Sequence, residues 1–384
     1  MKRSSEREGE AAPSRTDAYW TESIAILEGL ESVRRRPAMY VGDTQAGWGL
    51  HHLVWELVGN AIDQHLAREA RHLRVDLHEN WITVDDDGVG IPIDVVPLHG
   101  RPALEVVFTT LHAGATWDGH FPHVHVAARS HGVGVAVVNA LCARLEVDTH
   151  RDGRAWHMAF ERGAVVTPLT DRGPSTRRGT RVRFSPDETI FRTNAAFDAA
   201  VIEARLRELA WLNPLLAITW RGAALPGRGG IESWVRAIAT PLEADRVVSA
   251  SRVLDEAIID VAFAWRAGSS AAPEIHSFVS QCSSRDGGTH VQGLWSGLSF
   301  GIAGLAPGVR SAVRRELLAP GLVAVVNIGL YAPRFSAPTR DRLESPLAKA
   351  VTKHVVREAL ERALPKHTFD DPNALAFALR RRFV

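Results

Sequence analysis

The chain has 384 residues, 45% of them hydrophobic and 23% charged, with a formal net charge of +1. That length suits two domains with ordinary cores, and the near-neutral charge excludes a global pull toward nucleic acid or an anionic membrane. Two cysteines, Cys142 and Cys282, exclude a disulfide framework and a cysteine zinc site and fit a reducing cytoplasm.

Residues 1–18 are polar and charged and read as a flexible arm. Ile24, Leu27, Leu30 and Val33 form a helical stripe over 23–36, which Pro37 stops. A second amphipathic helix over 50–67 turns Leu53, Leu57, Ile62 and Leu66 toward a core. Segments 73–77 and 81–85 alternate as strands around a turn at Glu79 and Asn80, and 102–112 is helical. The stretch 113–130, rich in Gly, His and Ala, has no period and reads as a loop. A helix over 133–142, strands over 145–151, 155–161 and 180–184, and a helix over 197–212 follow. Pro226, Gly227, Arg228, Gly229 and Gly230 mark the domain boundary. Beyond it come a helix at 231–239, strands at 257–265 and 274–279, and a turn at Asp286, Gly287 and Gly288. A helix over 291–302, an apolar strand over 322–330 and a helix over 347–364 complete an α+β pattern. No apolar run reaches about 18 residues, so neither a membrane partner nor a secretory leader is expected.

Two segments carry most of the chemistry. Glu56 and Asn60 stand four apart on one helix, so a carboxylate and a carboxamide share a face. One strand and one turn later comes Asp86-Asp87-Gly88-Val89-Gly90-Ile91-Pro92, a carboxylate beside glycines that let backbone approach a ligand. Together they outline a Mg-nucleotide site: a base for water, an oxygen for the metal, and an acceptor for a ring amino group. Each also has a plain reading. Glu56 is otherwise a solvated helix carboxylate, Asn60 a surface residue, and Asp86 to Gly90 a simple turn. His52, one turn before Glu56, favours the functional reading, because its imidazole can hold the carboxylate. His131-Gly132-Val133-Gly134 opens an apolar helix whose free N–H groups suit polyphosphate, or whose glycines serve close packing. The clusters Arg34-Arg35-Arg36 and Arg310, Arg314, Arg315 read as solvated helix faces. The 17 histidines show no metal-binding spacing.

In order along the chain, these segments resemble the ATPase region of the DNA gyrase B protein and its topoisomerase IV counterpart, within the superfamily that holds Hsp90, MutL and the sensor histidine kinases. The resemblance runs from Tyr19 to about residue 365. It includes Arg36-Pro37-Ala38-Met39-Tyr40-Val41-Gly42-Asp43-Thr44, Gly49 to Asp63, Leu111-His112-Ala113-Gly114, His131 to Leu141, Gly179-Thr180 and Asp286-Gly287-Gly288-Thr289-His290. It implies a Bergerat-type ATP-binding helix/sheet sandwich over 19–228 and a ribosomal-S5-like transducer domain over 229–384. It implies ATP and Mg2+ as cofactors, with Glu56 as the base that activates water, His52 supporting it, and Asn60 binding Mg2+. Asp86 would accept from the adenine amino group with Thr180 assisting, while Gly88 and Gly90 shape the adenine pocket. Gly114 and the run His131, Gly132, Val133 and Gly134 would border the phosphates. Tyr19 would reach the nucleotide of the partner subunit, and Arg340 would touch the γ-phosphate from the transducer domain. The implied partners are a second copy of the chain in an ATP-dependent homodimer, DNA, and a gyrase A-like cleavage subunit.

The sequence departs from the family pattern at several places. Gly59 replaces an aspartate, Gln64 and Val89 replace a glutamate–arginine pair beside adenine, and Ala128-Arg129-Ser130 and Thr116 alter the phosphate lid. Pro338 and Arg340 replace a glutamine and a lysine. Gyrase B continues into a metal-binding cleavage domain, and no Asp-x-Asp segment beyond the domain boundary replaces it here, so this chain is not expected to cut DNA alone. The alternative to an ATP-hydrolysing gate is a nucleotide-binding module with weak or no hydrolysis that acts on a gyrase partner or in drug resistance. A MutL-like clamp fits less well, since it lacks the second half of the resemblance.

Overall fold

The computed structural model describes residues 29–45, 47–111, 113, 134–191, 196–242, 247–305, 315–337 and 340–363. Short helices α1 (Gly29–Arg35) and α2 (Ala38–Val41) lead into the long α3 (Trp48–Leu66). The hairpin β1 (His72–His78) and β2 (Trp81–Asp86) follows, then a small β3 (Val95–Val96) and β4 (Arg101–Pro102), and helices α4 (Ala103–Thr109) and α5 (Gly134–Leu141). Strands β5 (Cys142–Arg151), β6 (Arg154–Glu161), β7 (Ala164–Pro174) and β8 (Gly179–Pro186) precede α6 (Ala199–Leu212), β9 (Ala217–Trp220) and β10 (Ala223–Ala224). The eight-stranded sheet runs β10-β9-β1-β2-β8-β5-β6-β7.

Alternation along the strands explains why helices cover one face of this sheet. Leu73 and Val75 of β1, Ile82 and Val84 of β2, and Val182 and Phe184 of β8 join Leu53, Leu57 and Ile62 of α3 in one buried cluster. The other face carries a cross-strand charge row in which Arg74 pairs with Asp85, Asp85 with Arg181, Arg181 with Asp148, and Asp148 with His157.

The second half comprises α7 (Gly230–Ala239), β11 (Val248–Leu254), β12 (Ala257–Trp265), β13 (Glu274–Val279), β14 (Cys282–Ser283), α8 (Thr289–Leu305), α9 (Arg315–Leu318), β15 (Leu322–Leu330) and α10 (Pro346–Ala363). Its five strands run β11-β12-β15-β13-β14. The continuous apolar run of β15 follows from burial on both faces. Leu322, Ala324, Val326 and Ile328 meet the α8 and α10 side, whereas Val323 and Val325 meet Trp234 and Val235 of α7. Gly293, Gly297 and Gly301 let α8 press on α10; a Cβ at Gly297 would stand 2.6 Å from Cβ of Val356. Trp211 and Leu212 of α6 also pack on the α7 cluster, so α6 touches both sheets' cores.

Arg34 corrects the expectation of a solvated cluster. It donates to the Ala140 carbonyl at the end of α5 (2.6 Å) and to Asp187 (2.6 Å), whose side chain is 1% exposed. Arg162 reaches the same carboxylate at 3.1 Å. Asp187 lies at about 2; burial opposes its ionisation, but Arg34 and Thr189 overcome that. Arg35 follows the solvated expectation, pairing with Glu31 at the surface.

Candidate nucleotide site

Helix α3 begins where Gly47, at φ +83, turns the chain. Its two adjacent histidines point to different tasks. His51 is buried; its Nδ1 is 2.9 Å from the Gly47 carbonyl and its Nε2 accepts the Asp198 N–H at 3.0 Å. That pairing places its single proton on Nδ1. His52 is also buried, and its Nε2 stands 3.1 Å from Oε1 of Glu56. The remaining Glu56 oxygen lies against Gly134, the first residue of α5. A Cβ there would fall 2.0 Å from Oε2. Gly134 is therefore a space-maker for the carboxylate, not only a packing glycine. Asn60, one turn after Glu56, has an exposed side chain, available to a ligand.

The three aspartates at the end of β2 divide by the alternation of the strand. Asp85 faces the open sheet surface and pairs with Arg177 (2.9 Å) and Arg181 (3.2 Å). A cleft of about 430 Å³ lies there, behind the site, and of its arginines Arg177 and Arg181 are engaged by Asp85 and Arg178 by Glu69. Asp87 accepts from the backbone N–H groups of Arg71 (2.7 Å) and His72 (2.8 Å) and is structural. Asp86 points to the helix side with no cation partner among the described residues. Burial, with Asp85 and Asp87 adding repulsion, pushes it up to about 6, although N–H groups of Gly88 and Thr180 donate to it. The Gly88 bond is 2.8 Å.

Glycines make this packing possible. Gly179, at φ +109, lets β8 run against the Asp86 carbonyl, where a Cβ would come within 1.9 Å. Gly90, at φ +77, fits against the His150 carbonyl and Thr149 Oγ1. Thr149, fully buried, receives the Ile91 N–H at 2.8 Å and so fixes the turn. Gln64 Oε1 accepts the Val89 N–H at 3.3 Å, a neutral bond where the family pattern has an ion pair.

The sequence-selected residues Glu56, His52, Asn60 and Gly134 thus gather along α3 and the start of α5. Asp86, Gly88, Gly90 and Thr180 gather at the β2–β8 end. Arg340 sits in the loop after β15, at φ +59, with its guanidinium 5.7 Å from the Phe335 ring centre. That loop is docked on the Asp286–Gly288 turn: the Asp286 N–H donates to the Asp341 carbonyl (2.9 Å) and the Leu343 N–H to the Gly287 carbonyl (3.0 Å). The same turn brings Arg285 over Trp48, the first residue of α3, at 5.4 Å. Tyr19, Gly114, His131, Gly132, Val133 and the altered lid at 128–130 lie outside the described residues. Spacing in the sequence does not reveal the roles of His51, Gly179 and the Gly134 contact, although a glycine immediately before Thr180 is a visible signal for the second.

The residues fit a nucleotide and its metal. A buried carboxyl without a cation keeps acceptor capacity for an amino group, and the glycine at 134 leaves room beside a carboxylate. An exposed carboxamide one turn away suits a cation that takes most of its oxygens from phosphates and water. Among the described residues no group of three His, Cys, Asp or Glu could hold a metal by itself, and no helix is long and apolar enough to cross a membrane.

Residues 47–190 match the model of the histidine kinase-, DNA gyrase B-, and HSP90-like ATPase family, and residues 230–381 match that of DNA gyrase B. The chain is 41% identical over 305 residues to the type 2 topoisomerase B protein of Aquifex aeolicus, covering 77% of this chain and 38% of that protein. It is 40% identical over 299 residues to the DNA gyrase B protein of Thermotoga maritima, covering 74% of this chain and 46% of that one. The chain thus spans less than half the length of these two relatives. Its fold matches the gyrase B ATPase domain of Thermus thermophilus, solved with an aminocoumarin, with a TM-score of 0.74 and 34% identity, over 91% of this chain and 92% of that one. The gyrase B protein of Myxococcus xanthus matches with a TM-score of 0.72 and 27% identity, over 91% of this chain and 98% of that one.

Proposed function

The chain belongs to the DNA gyrase B family, and on that premise we propose that it binds Mg-ATP and hydrolyses it as the ATP-operated gate of a type IIA topoisomerase. The observation that carries the proposal is the His52–Glu56 pair at 3.1 Å, with Gly134 leaving space beside the free carboxylate oxygen. Glu56 Oε2 takes a proton from the attacking water, while His52 fixes the carboxylate through Oε1. Asn60 would hold Mg2+, which when bound neutralises phosphate charge. Asp86 accepts from the adenine amino group, Thr180 assists, and Gly88 and Gly90 let the ring approach the backbone. Gly114, His131, Gly132 and Val133 border the phosphates. Arg340 supplies positive charge from the second domain; its planar fork differs in geometry from the family lysine.

In this reading the chain divides into an arm over 1–18, an ATP-binding domain over 19–228 and a transducer domain over 229–384. Tyr19 reaches the nucleotide of a second copy, ATP closes the homodimer around a DNA segment, and a gyrase A-like subunit performs the cleavage in the cytoplasm. The experiment is phosphate release by the full chain, with and without DNA, alongside sedimentation with a non-hydrolysable ATP analogue. Turnover together with analogue-dependent dimers supports the gate. Tight analogue binding with no phosphate release, under either condition, favours the non-hydrolysing module, toward which the altered phosphate lid at Ala128, Arg129 and Ser130 points.

A further inference from the structure

Helix α6 is tied at both ends to groups that belong to different parts of the chain. At its start, the N–H of the cap residue Asp198 donates to His51, the neighbour of His52. At its end, the cap residue Asn213 and Gln281 exchange two amide hydrogen bonds, of 2.6 and 2.9 Å. Gln281 lies in the β13–β14 turn, and both residues are buried, 3% and 6% exposed. Midway, Arg205 of α6 donates to the Gln281 carbonyl and lies over the Phe278 ring. The Gln281 N–H in turn donates to Asn327 of β15 (3.2 Å), and Asn327 to Asp260 of β12 (3.4 Å), which also receives Ser251 of β11 (2.6 Å).

A polar chain therefore runs from three strands of the second sheet into one helix. Ser280 and Gln281 hold φ values of +47 and +65, a left-handed pair that their surroundings must enforce. Packing alone does not call for this arrangement, since two apolar side chains of the same shape would fill the space at little cost. What two reciprocal amide bonds supply is a fixed distance and orientation. A helix of 14 residues carries that constraint about 20 Å.

We propose that Gln281 is a positioning residue for hydrolysis. Through Asn213 and the rod of α6 it holds His51, and with it the His52–Glu56 pair, so the seating of the second sheet on α6 sets the rate at Glu56. The adenine-side groups Asp86, Gly88 and Thr180 stand on β2, its following turn and β8, off this path, so nucleotide affinity does not depend on it. This inference rests on the hydrolytic reading above.

The test uses the full chain and two variants. Gln281→Met leaves Asn213 Oδ1 without its donor, although Asn213 Nδ2 still donates to the Leu209 carbonyl (2.8 Å); Asn213→Leu/Gln281→Met removes both amides and leaves no orphan, which restores stability. Both variants are expected to bind ATP within about twofold of wild type and to turn over at least about tenfold slower. In nucleotide-free protein, amide exchange at Asp198 rises by about tenfold in both, because its bond to His51 opens more often. A stable double variant with wild-type turnover overturns the proposal, as does wild-type exchange at Asp198. If the wild type releases no phosphate, the hydrolytic reading fails. The Asp198 exchange then still decides whether Gln281 holds His51.

Discussion

Asp86→Asn removes a charge that the fold holds at a cost. Burial beside Asp85 and Asp87 lifts this carboxyl from 3.8 to about 6. At about 1.4 kcal/mol per pH unit, keeping it ionised costs the folded state about 3 kcal/mol. The folded value lies above the unfolded one, so the associated stability is complete below about pH 4 and lost as pH rises through about 6. Asparagine carries no charge at any pH, so the variant gains on wild type as pH rises. An amide has one acceptor oxygen where the carboxylate has two, which returns about 1 kcal/mol. The net expectation is a variant about 2 kcal/mol more stable than wild type at pH 8 and slightly less stable at pH 4. Urea unfolding at the two pH values measures both numbers. The same variant should lose ATP affinity by about a hundredfold at pH 8, since an amide N–H then faces the ring amino group, as calorimetric titration would record. A stability difference between variant and wild type that is identical at pH 4 and pH 8 would refute the electrostatic reasoning.

Gly134→Ala puts a methyl 2.0 Å from the Glu56 carboxylate oxygen; kcat should fall by about a hundredfold with the fold intact by circular dichroism, because a small misplacement of the base suffices. His290 is fully buried, and its ring nitrogens have no hydrogen-bond partner among the described residues. Burial pushes it down to about 4, so its contribution is present above about pH 6.5 and lost as pH falls through about 4, in total about 3 kcal/mol. His290→Leu should flatten that loss in urea unfolding. The His290 and Asp86 titrations oppose each other over the same range, so wild type alone reveals neither, and each variant must be compared with wild type at every pH. Arg34→Ala leaves the buried Asp187 with only the exposed Arg162 as a cation among the described residues, and should cost about 2 kcal/mol in the same assay.

Much of the architecture is readable because helix and strand periods are clean. The stripe in α3, the alternation of β1 and β2, and the solid apolar run of β15 each report how many faces are covered. Strands β7, β9 and β11 do not stand out in the sequence. β7 and β11 are edge strands whose alternation runs mostly between half-buried and exposed positions, and β9 is only four residues long. At the site, spacing brings Glu56 to His52 and Asn60, since i and i+4 neighbours are fixed by the helix itself. It does not separate the three aspartates, whose tasks depend on which neighbours β1 and β8 bring to each face. Nor can local pattern show that Arg34 reaches Asp187, that His51 caps α6, or that Asn213 meets Gln281. Those contacts join residues 153, 147 and 68 positions apart, and only the assembled layers create them.

If Glu56 is the base for hydrolysis and not a binding group, removing it must separate turnover from affinity. Phosphate release from Glu56→Ala, beside ATP binding by the same protein, tests this most directly. ATP affinity is predicted to stay within about threefold of wild type while turnover falls by at least about a thousandfold. Turnover in Glu56→Ala equal to that of wild type would contradict the assignment.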